Sequence, residues 1–430
     1  MEKLISYFRK LTMSTFAKNV SVLGSSTLIA QLVSIISAPL LYRIYSKEQY
    51  GLLGIYMAIT GVVGVVSTLQ YTHLILLERD NERVGTAVWL NRGLNIGFSF
   101  VSFGIVLLLR GIIAKYFEIP QLKFWLLFLP LSIFFSGQSE IYRKLANREN
   151  KFKILSINNL SVAILTPATS ILIGVLTNSV AGLFVGLLVG QILPTIFLKI
   201  SLPQECKFQL SNQNLKSIKK MASENKHFFL YSTPTELINR FASHLPVFVI
   251  GGIFGSGSVG IYNLCVRMLG LPIDLISSSI TEVLKPKLSV TYNLDKSCRE
   301  ILIGVIKPLL IIGIIGLISI FYFLPALFAF VFGEEWREAG KFAQVLSFLY
   351  LARFVARPVV YMYFVARKQK EYLLIHLIYI FCLLVSYFIA KTGISIYEFL
   401  ILYSIIYSIM YIVQIYRSLK FSKLDNSIYS

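Results

Sequence analysis

The chain has 430 residues, of which 56% are hydrophobic and 14% are charged, and its mean hydropathy is +0.70. Soluble globular proteins carry about 25% charged residues, so this composition excludes a soluble domain with an ordinary water-facing surface. The formal net charge of +20 suits nucleic-acid binding in a soluble protein, but membrane proteins concentrate lysine and arginine on their cytoplasmic side.

Apolar stretches of about 20 residues, the length that crosses a bilayer as a helix, recur along the whole chain. No small-residue cleavage site follows the first apolar run, so we expect that run to be a helix rather than a removed signal peptide. The predicted spans cover residues 19–41, 52–77, 87–109, 122–141, 154–176, 180–201, 228–250, 259–284, 301–324, 341–365, 372–390 and 398–416. These twelve spans predict an all-α polytopic membrane protein with both termini on one side.

Lysine and arginine are distributed unevenly between the two alternating sets of loops. When residues at the very ends of the spans are counted with the adjacent loop, the set that contains both termini holds 27 of them, and the opposite set holds 8. The positive-inside rule therefore places both termini in the cytoplasm. The same asymmetry accounts for most of the net charge, so no nucleic-acid partner is predicted.

The longest cytoplasmic loop divides the spans into two sets of six. The segment from Leu28 aligns with the segment from Leu237, and helix, polar turn and next helix stay in register. This predicts an N-terminal six-helix lobe over 1–205, a linker over 206–227 and a C-terminal lobe over 228–430. A parallel repeat of this kind suits alternating access to a central cleft. Chance alignment of two apolar hairpins is the alternative.

The seventh predicted span carries three polar residues on one helix face. Glu236, Arg240 and His244 are spaced four apart. Glu236 and Arg240 are compatible with a local salt bridge and with a site in which Arg240 binds a pyrophosphate. Glu236 is also a candidate for coupling transport to a cation. His244 either titrates as a coupling residue or hydrogen-bonds a neighbouring helix.

Charges in two later spans extend this set, because a charge within a membrane usually marks a cavity or a partner. Arg267 and Asp274 are seven residues apart on one face of the eighth span, and Asp274 is a second coupling candidate. Arg353 and Arg357 lie four apart in the tenth span with no acid at i±4. We therefore predict that Arg353 and Arg357, with Arg240 and Arg267, bind an anionic substrate.

The spans of the first half offer side chains suited to sugar hydroxyls or to ordinary helix–helix hydrogen bonds. These side chains are Gln31, Gln70, His73, Asn95, Gln138 and Glu140. Prolines interrupt several spans, and Pro39, Pro246 and Pro272 are the predicted gating elements.

Several chemistries have no matching motif in the sequence. The four cysteines lack the spacing of a metal site and are not expected to form a disulfide. No GxxxxGK[ST] motif is present, which excludes ATP-driven pumping by this chain. No catalytic arrangement lies on a soluble face, so the protein is not expected to be an enzyme.

The two halves contain motifs that resemble one known family. In the first half the motifs are Lys18–Asn19, the small residues from Gly24 to Ala30, Pro39 and the stretch from Arg43 to Gly51. In the second half they are Pro234, Leu245–Pro246, Gly260–Ile261–Tyr262, Arg267 and Pro272. In this order they resemble the bacterial Wzx-type oligosaccharide flippases of the multidrug/oligosaccharidyl-lipid/polysaccharide exporter superfamily.

The resemblance implies a MATE-like fold of two six-helix lobes that open alternately. It implies that undecaprenyl-pyrophosphate-linked oligosaccharides move from the cytoplasmic to the outer leaflet of the bacterial inner membrane, for O-antigen or other surface polysaccharide. No cofactor is predicted, and the coupling candidates Glu236, Asp274 and His244 suggest a proton or sodium gradient as the energy source. The implied partners are membrane lipids, the polysaccharide polymerase and the chain-length machinery. Related lipid II flippases usually have additional C-terminal helices, so the short segment after the twelfth span argues against that branch.

Two other functions are weighed against this one. A cation-coupled multidrug exporter of the same superfamily needs an acidic, aromatic cavity, whereas Arg240, Arg353 and Arg357 favour an anionic lipid head. A membrane glycan polymerase needs a large periplasmic loop with catalytic residues. The longest predicted outer loop is too short and too apolar for that role.

Overall fold

A computed structural model describes residues 15–202, 214–294 and 297–422. Within these ranges the chain forms twelve long helices and no strand, and each predicted span overlaps one of them. The helices are α1 (Thr15–Ile44), α2 (Lys47–Gly64), α3 (Asn81–Tyr116), α4 (Leu129–Arg148), α5 (Phe152–Thr177), α6 (Ala181–Ser201), α7 (Thr233–Ile253), α8 (Gly255–Asn293), α9 (Arg299–Phe321), α10 (Arg337–Val359), α11 (Gln369–Ala390) and α12 (Ile396–Phe421). The predicted all-α polytopic fold is confirmed.

Among the described residues, eleven spans are long and apolar enough to cross a membrane. A span of 20 residues is about 30 Å long as a helix, which matches the hydrocarbon core of a bilayer. The remaining helix, α7, has 21 residues but is less apolar, because Glu236, Arg240 and His244 lower its mean hydropathy. The helix that is least suited to lipid is therefore the one with the predicted polar face.

Packing divides the chain into two compact units, residues 1–256 and residues 257–430. Helix α7 packs on α2 and so belongs to the first unit. Residues 206–213 of the predicted linker lie outside the described residues, and Leu215–Glu224 forms a helix. The division of the sequence into two lobes of six spans stays a prediction.

Two helices begin with the same local motif. At the start of α2, Ser46 Oγ accepts a hydrogen bond from Gln49 N, and the Gln49 side chain accepts one from Ser46 N. Ser395 and Glu398 form the same capping box at the start of α12. Each box satisfies backbone donors that the first helical turn leaves unpaired.

Helices α5 and α6 approach closely in the first unit because small residues face each other. A β-carbon on Gly186 would lie 2.0 Å from Ser170 Oγ, and one on Gly190 would lie 1.9 Å from Thr166 Oγ1. Small residues spaced four apart let membrane helices pack at short distance. This contact fixes α6, which carries part of the site described below.

The amphipathic helix Leu215–Glu224 packs on one end of the first unit. It buries Met221 in an apolar cluster that includes Phe228. Arg83 bonds Glu78 at 2.7 Å and Glu224 at 3.4 Å, which ties this helix to the start of α3.

In the second unit, the turn before α9 packs against the end of α12. Cys298 N donates to Ser422 O at 3.0 Å, and Cys298 Sγ lies 3.6 Å from Leu288 O. Burial raises the pKa of the Cys298 thiol, which keeps it protonated at neutral pH. Cys298 therefore acts as a core residue.

Candidate functional site

A cavity of about 530 Å³ lies within the first unit. Its wall is formed by α2 with the segment that follows it, and by α4, α6 and α7. Its polar lining residues are Thr60, Ser67, Gln70, His73, Ser136, Glu140, Gln191, Glu236 and Arg240. Two predicted site residues therefore share a cavity with polar groups from three other helices.

The cavity lies where the second predicted span is interrupted. Helix α2 ends at Gly64 and is followed by two short 3₁₀ turns, Val65–Thr68 and Tyr71–His73. Between these turns Leu69 and Gln70 adopt left-handed backbone conformations, with φ of 48° and 60°. Such conformations cost a residue other than glycine about 1–3 kcal/mol and are concentrated at functional sites. Interrupted helices commonly line the binding sites of transporters.

Contacts to α4 and α7 hold the interrupted segment in place. Thr72 Oγ1 donates to Glu140 Oε1 of α4 at 2.8 Å. The His73 ring stacks on Phe228, with ring centroids 6.0 Å apart. Phe228 starts a π-helical turn, Phe228–Ser232, directly before α7. π-helical turns are rare and often occur at functional sites.

Glu236 and Arg240 form the local ion pair that their spacing predicts. Arg240 Nε lies 2.7 Å from Glu236 Oε1, and the two side chains are 54% and 33% exposed. Both side chains also line the cavity. The salt bridge and the position on a cavity wall thus occur together, and anion binding by Arg240 stays a prediction.

His244, the third polar residue of this face, packs against α2. A β-carbon on Gly61 would lie 2.8 Å from His244 Nε2, so the imidazole fits against α2 because residue 61 is a glycine. His244 is half-buried. Its role in coupling stays a prediction.

The second unit contains a different charged cluster, formed between two helices. Arg353 Nη2 on α10 donates to both Asp274 carboxylate oxygens on α8, at 2.7 and 2.9 Å. Arg357, one turn further along α10, also donates to Asp274 Oδ1. The acid that the sequence lacks at i±4 is therefore supplied by α8.

One carboxylate and two guanidinium groups leave the cluster of Asp274, Arg353 and Arg357 with a net charge of +1. Arg353 is also 5.5 Å from the ring centroid of buried Tyr350, which favours a cation over its face. The Arg353 side chain is 27% exposed and that of Arg357 is 41% exposed. Arg353 is thus the more firmly held cation, and Arg357 is the more open to an external anion.

Buried and half-buried tyrosines on α8, α11 and α12 form a neutral polar region in the same unit. Tyr262 Oη lies 3.1 Å from Tyr403 Oη, and the rings of Tyr403 and Tyr407 are 4.7 Å apart. The Tyr407 ring is 4.1 Å from that of Tyr379. These phenols add hydrogen-bonding groups but no carboxylate that offsets the charge of the arginines.

The other predicted site residues occupy helical positions. Arg267 is half-buried on α8, two turns before Asp274, and makes interactions of its own. Pro39, Pro246 and Pro272 lie inside α1, α7 and α8, and each helix continues through its proline. Substrate binding by Arg267 and gating by the prolines stay predictions.

Apart from Gln31, which does not line the cavity, the polar candidates of the first half separate into two groups. Gln138 Nε2 donates to Asn95 Oδ1 at 2.8 Å, and both residues are buried, so this pair joins α3 to α4. Gln70, His73 and Glu140 instead line the cavity. Only the second group is available to a ligand there.

Gln191, which lines the cavity from α6, was not predicted from the sequence. Its Oε1 is buried and has no hydrogen-bond partner among the described residues. The available signal was a single amide side chain in the largely apolar stretch Ala181–Leu198.

Comparison with known proteins identifies the family to which the chain belongs. A family model described as "Polysaccharide biosynthesis protein" matches residues 40–341, more than half of the chain. The chain belongs to this polysaccharide biosynthesis family. The predicted relationship to Wzx-type flippases of the exporter superfamily is confirmed.

Curated relatives of this family member come from several bacteria. The lipopolysaccharide biosynthesis protein WzxC of Escherichia coli is 23% identical over 344 residues, which are 78% of this chain and 66% of WzxC. The teichuronic acid biosynthesis protein TuaB of Bacillus subtilis is 23% identical over 294 residues, 66% of this chain and 57% of TuaB. The chain thus spans about two thirds or less of the length of these relatives.

Solved structures confirm the predicted MATE-like fold of this family member. The lipid II flippase MurJ, in an inward closed conformation, matches with a TM-score of 0.73 and 17% identity, over 93% of this chain and 87% of MurJ. An inward-facing multidrug resistance MATE family transporter matches with a TM-score of 0.67 and 12% identity, over 92% of this chain and 97% of the transporter. At these identities the likeness concerns the fold alone.

Proposed function

We propose that the chain moves a lipid-linked oligosaccharide from the cytoplasmic to the outer leaflet of a bacterial inner membrane, during synthesis of a surface polysaccharide. The proposed lipid carrier is undecaprenyl pyrophosphate. The protein makes and breaks no covalent bond in this role, because moving the substrate requires only binding and release on the two sides.

The observation that carries the proposal is the cluster of Asp274, Arg353 and Arg357. It keeps a surplus positive charge within spanning helices, where a charge costs at least about 2.5–3.5 kcal/mol on insertion scales. A guanidinium presents donors in a fork that matches phosphate oxygens and is always charged. A surplus positive charge within the membrane suits the binding of a pyrophosphate that is linked to a lipid.

The comparisons support the pathway. WzxC and TuaB are named for lipopolysaccharide and teichuronic acid biosynthesis, and MurJ is named as a lipid II flippase. These names differ in the glycan but agree on precursors of envelope polymers. The polymerase and the chain-length machinery of such a pathway are the proposed protein partners.

Orientation and energy source complete the proposal. The excess of lysine and arginine in alternate loops supports a cytoplasmic position for both termini. A proton or sodium gradient drives net movement, with Glu236, Asp274 and His244 as the coupling candidates.

Gene deletion in the source bacterium tests the proposal. We expect the surface glycan to disappear and the lipid-linked repeat unit to accumulate in the inner leaflet, both reversed by the wild-type gene. In the deletion strain, a gene that encodes the Arg357→Ala variant should restore little glycan. A gene that encodes Arg357→Lys, which keeps the positive charge, should restore more. Unchanged glycan together with new sensitivity to cationic drugs would contradict the proposal and favour a multidrug exporter.

A further inference from the structure

The cavity of the first unit differs from the arginine cluster in the sign of its charge. Its lining contains two carboxylates, Glu140 and Glu236, and one guanidinium, Arg240. Arg240 is already paired with Glu236, so the lining carries a net charge of −1 with His73 counted as neutral. Lys144 on α4 acts on His73 electrostatically but does not line the cavity. A surplus carboxylate disfavours a pyrophosphate here.

The lining is also rich in oxygens that can accept hydrogen bonds. Gln191 Oε1 is buried without a hydrogen-bond partner among the described residues. Ser136 Oγ and Thr60 Oγ1 already donate to backbone carbonyls of their own helices, at 3.0 and 2.8 Å, so what they offer a ligand is an acceptor. Glu140 keeps acceptor capacity beyond the single bond from Thr72. A matching ligand brings several donors and no negative charge.

The left-handed turn adds an amide to this wall. Gln70 lines the cavity from the interruption after α2. Its amide side chain offers a ligand both a hydrogen-bond donor and an acceptor. A volume of about 530 Å³ lies within the range of small-molecule sites. A lining of amides, hydroxyls and a carboxylate matches the hydroxyl groups of a sugar, each of which donates and accepts.

We propose that this cavity is the glycan subsite, and that Glu140 and Gln191 accept hydrogen bonds from hydroxyls of the oligosaccharide that the transporter moves. The subsite rests on the proposed function, but it assigns the sugar and the pyrophosphate to different residues. Organic cations are the competing ligand class, because they also match a surplus carboxylate. They favour open aromatic faces. Tyr56, the tyrosine among the described lining residues, offers no such face, because it is 1% exposed with its hydroxyl 2.8 Å from Ser132 Oγ.

The test compares two lipids with the full-length protein in nanodiscs. One is undecaprenyl pyrophosphate without sugar, and the other is the lipid-linked repeat unit extracted from source cells that lack the gene. We expect the wild-type protein to bind the glycosylated lipid at least about tenfold more tightly. Gln191→Leu and Glu140→Gln should each reduce that preference about three- to tenfold, the range for one lost hydrogen bond, with little change for the bare lipid.

Gln31→Leu is the matched control. Gln31 is also a glutamine of the first unit with a buried, unpartnered Oε1 among the described residues, but it does not line the cavity. Its replacement should leave the preference unchanged. Retained binding of the bare lipid shows that each variant is folded, and Arg357→Ala should weaken both lipids equally.

The outcomes separate the subsite from the proposed function. If the wild-type protein binds both lipids equally, or if Gln31→Leu and Gln191→Leu behave alike, the subsite is wrong while lipid transport stands. If neither lipid binds, the proposed function fails and the subsite with it. Tight binding of tetraphenylphosphonium that is lost in Glu140→Gln would assign the cavity to cations instead.

Discussion

The two charged clusters are built in opposite ways. Glu236 and Arg240 pair one to one along a single helix, so their charges cancel wherever that helix forms. Asp274 on α8 instead holds two arginines of α10, so a positive charge is left over and the cluster exists only when the two helices pack. We therefore expect an intramembrane arginine to bind an anion only where its partners leave it in surplus.

Replacing Asp274 by Asn should have the largest effect, because it leaves two like charges one helical turn apart. We expect the free energy of unfolding to fall by about 1–3 kcal/mol, less than for a fully buried pair because these side chains are partly exposed. Thermal unfolding of the purified protein in detergent measures the change. The double variant Asp274→Asn/Arg357→Gln should recover part of the loss. A loss in Asp274→Asn no larger than that in Glu236→Gln would show that the cluster is not structurally important.

The variant Arg357→Gln tests whether the surplus charge of the cluster is needed for transport. Arg353 and Asp274 then form a neutral pair, so stability should change little while the surplus charge disappears. We expect transport of the lipid-linked repeat unit to fall at least about tenfold, which corresponds to about 1.4 kcal/mol. Accumulation of that lipid in complemented cells measures the effect, with protein level as the control. Normal transport in Arg357→Gln together with loss in Arg353→Gln would reassign the anion site to Arg353.

Glu236→Gln should have a smaller effect on stability. Exposed i,i+4 ion pairs contribute about 0.3–0.5 kcal/mol, and these two side chains are 33% and 54% exposed. Thermal unfolding should therefore show a shift near the limit of measurement. A loss above about 2 kcal/mol would mean that Arg240 depends on Glu236 as strongly as the α10 arginines depend on Asp274.

The smallest effect is expected for the exchange Glu236→Arg/Arg240→Glu. The pair re-forms with its polarity along the helix reversed, which costs about 0.2 kcal/mol. Stability should be that of the wild type in the same unfolding assay. Loss of transport by this stable variant would show that the position of each charge matters, beyond their pairing.

The same contrast explains how much the sequence could predict. Spacing of four residues is enough to identify the Glu236–Arg240 pair, because the helix itself brings the side chains together. The partner of Arg353 lies 79 residues earlier, on α8, and its identity depends on tertiary packing that no local pattern encodes. The lack of a local acid beside Arg353 and Arg357 was a correct signal that their partner is distant.

The spans were predictable because their length and apolarity are set by the bilayer. The interruption after α2 was not, since no proline or glycine lies between Val65 and His73 to mark it. Its left-handed residues are held instead by contacts to other helices, such as Thr72 to Glu140. Gln191 was missed for a related reason, because one amide in a spanning helix has many structural roles.

The capping boxes at Ser46 and Ser395 bear on the biogenesis of the protein. Each is completed within four residues, at the turn between α1 and α2 or between α11 and α12. An unsatisfied backbone amide costs several kcal/mol in hydrocarbon, so a turn that satisfies its own donors can pass the membrane interface without help from other helices. The hairpin of α11 and α12, whose two helices also pack against each other, can therefore enter the bilayer as a finished pair, ahead of the tertiary contacts that later build the arginine cluster. Helices α1 and α2 pack on α5 and α7 instead, so at their turn the capping box alone is complete at that stage.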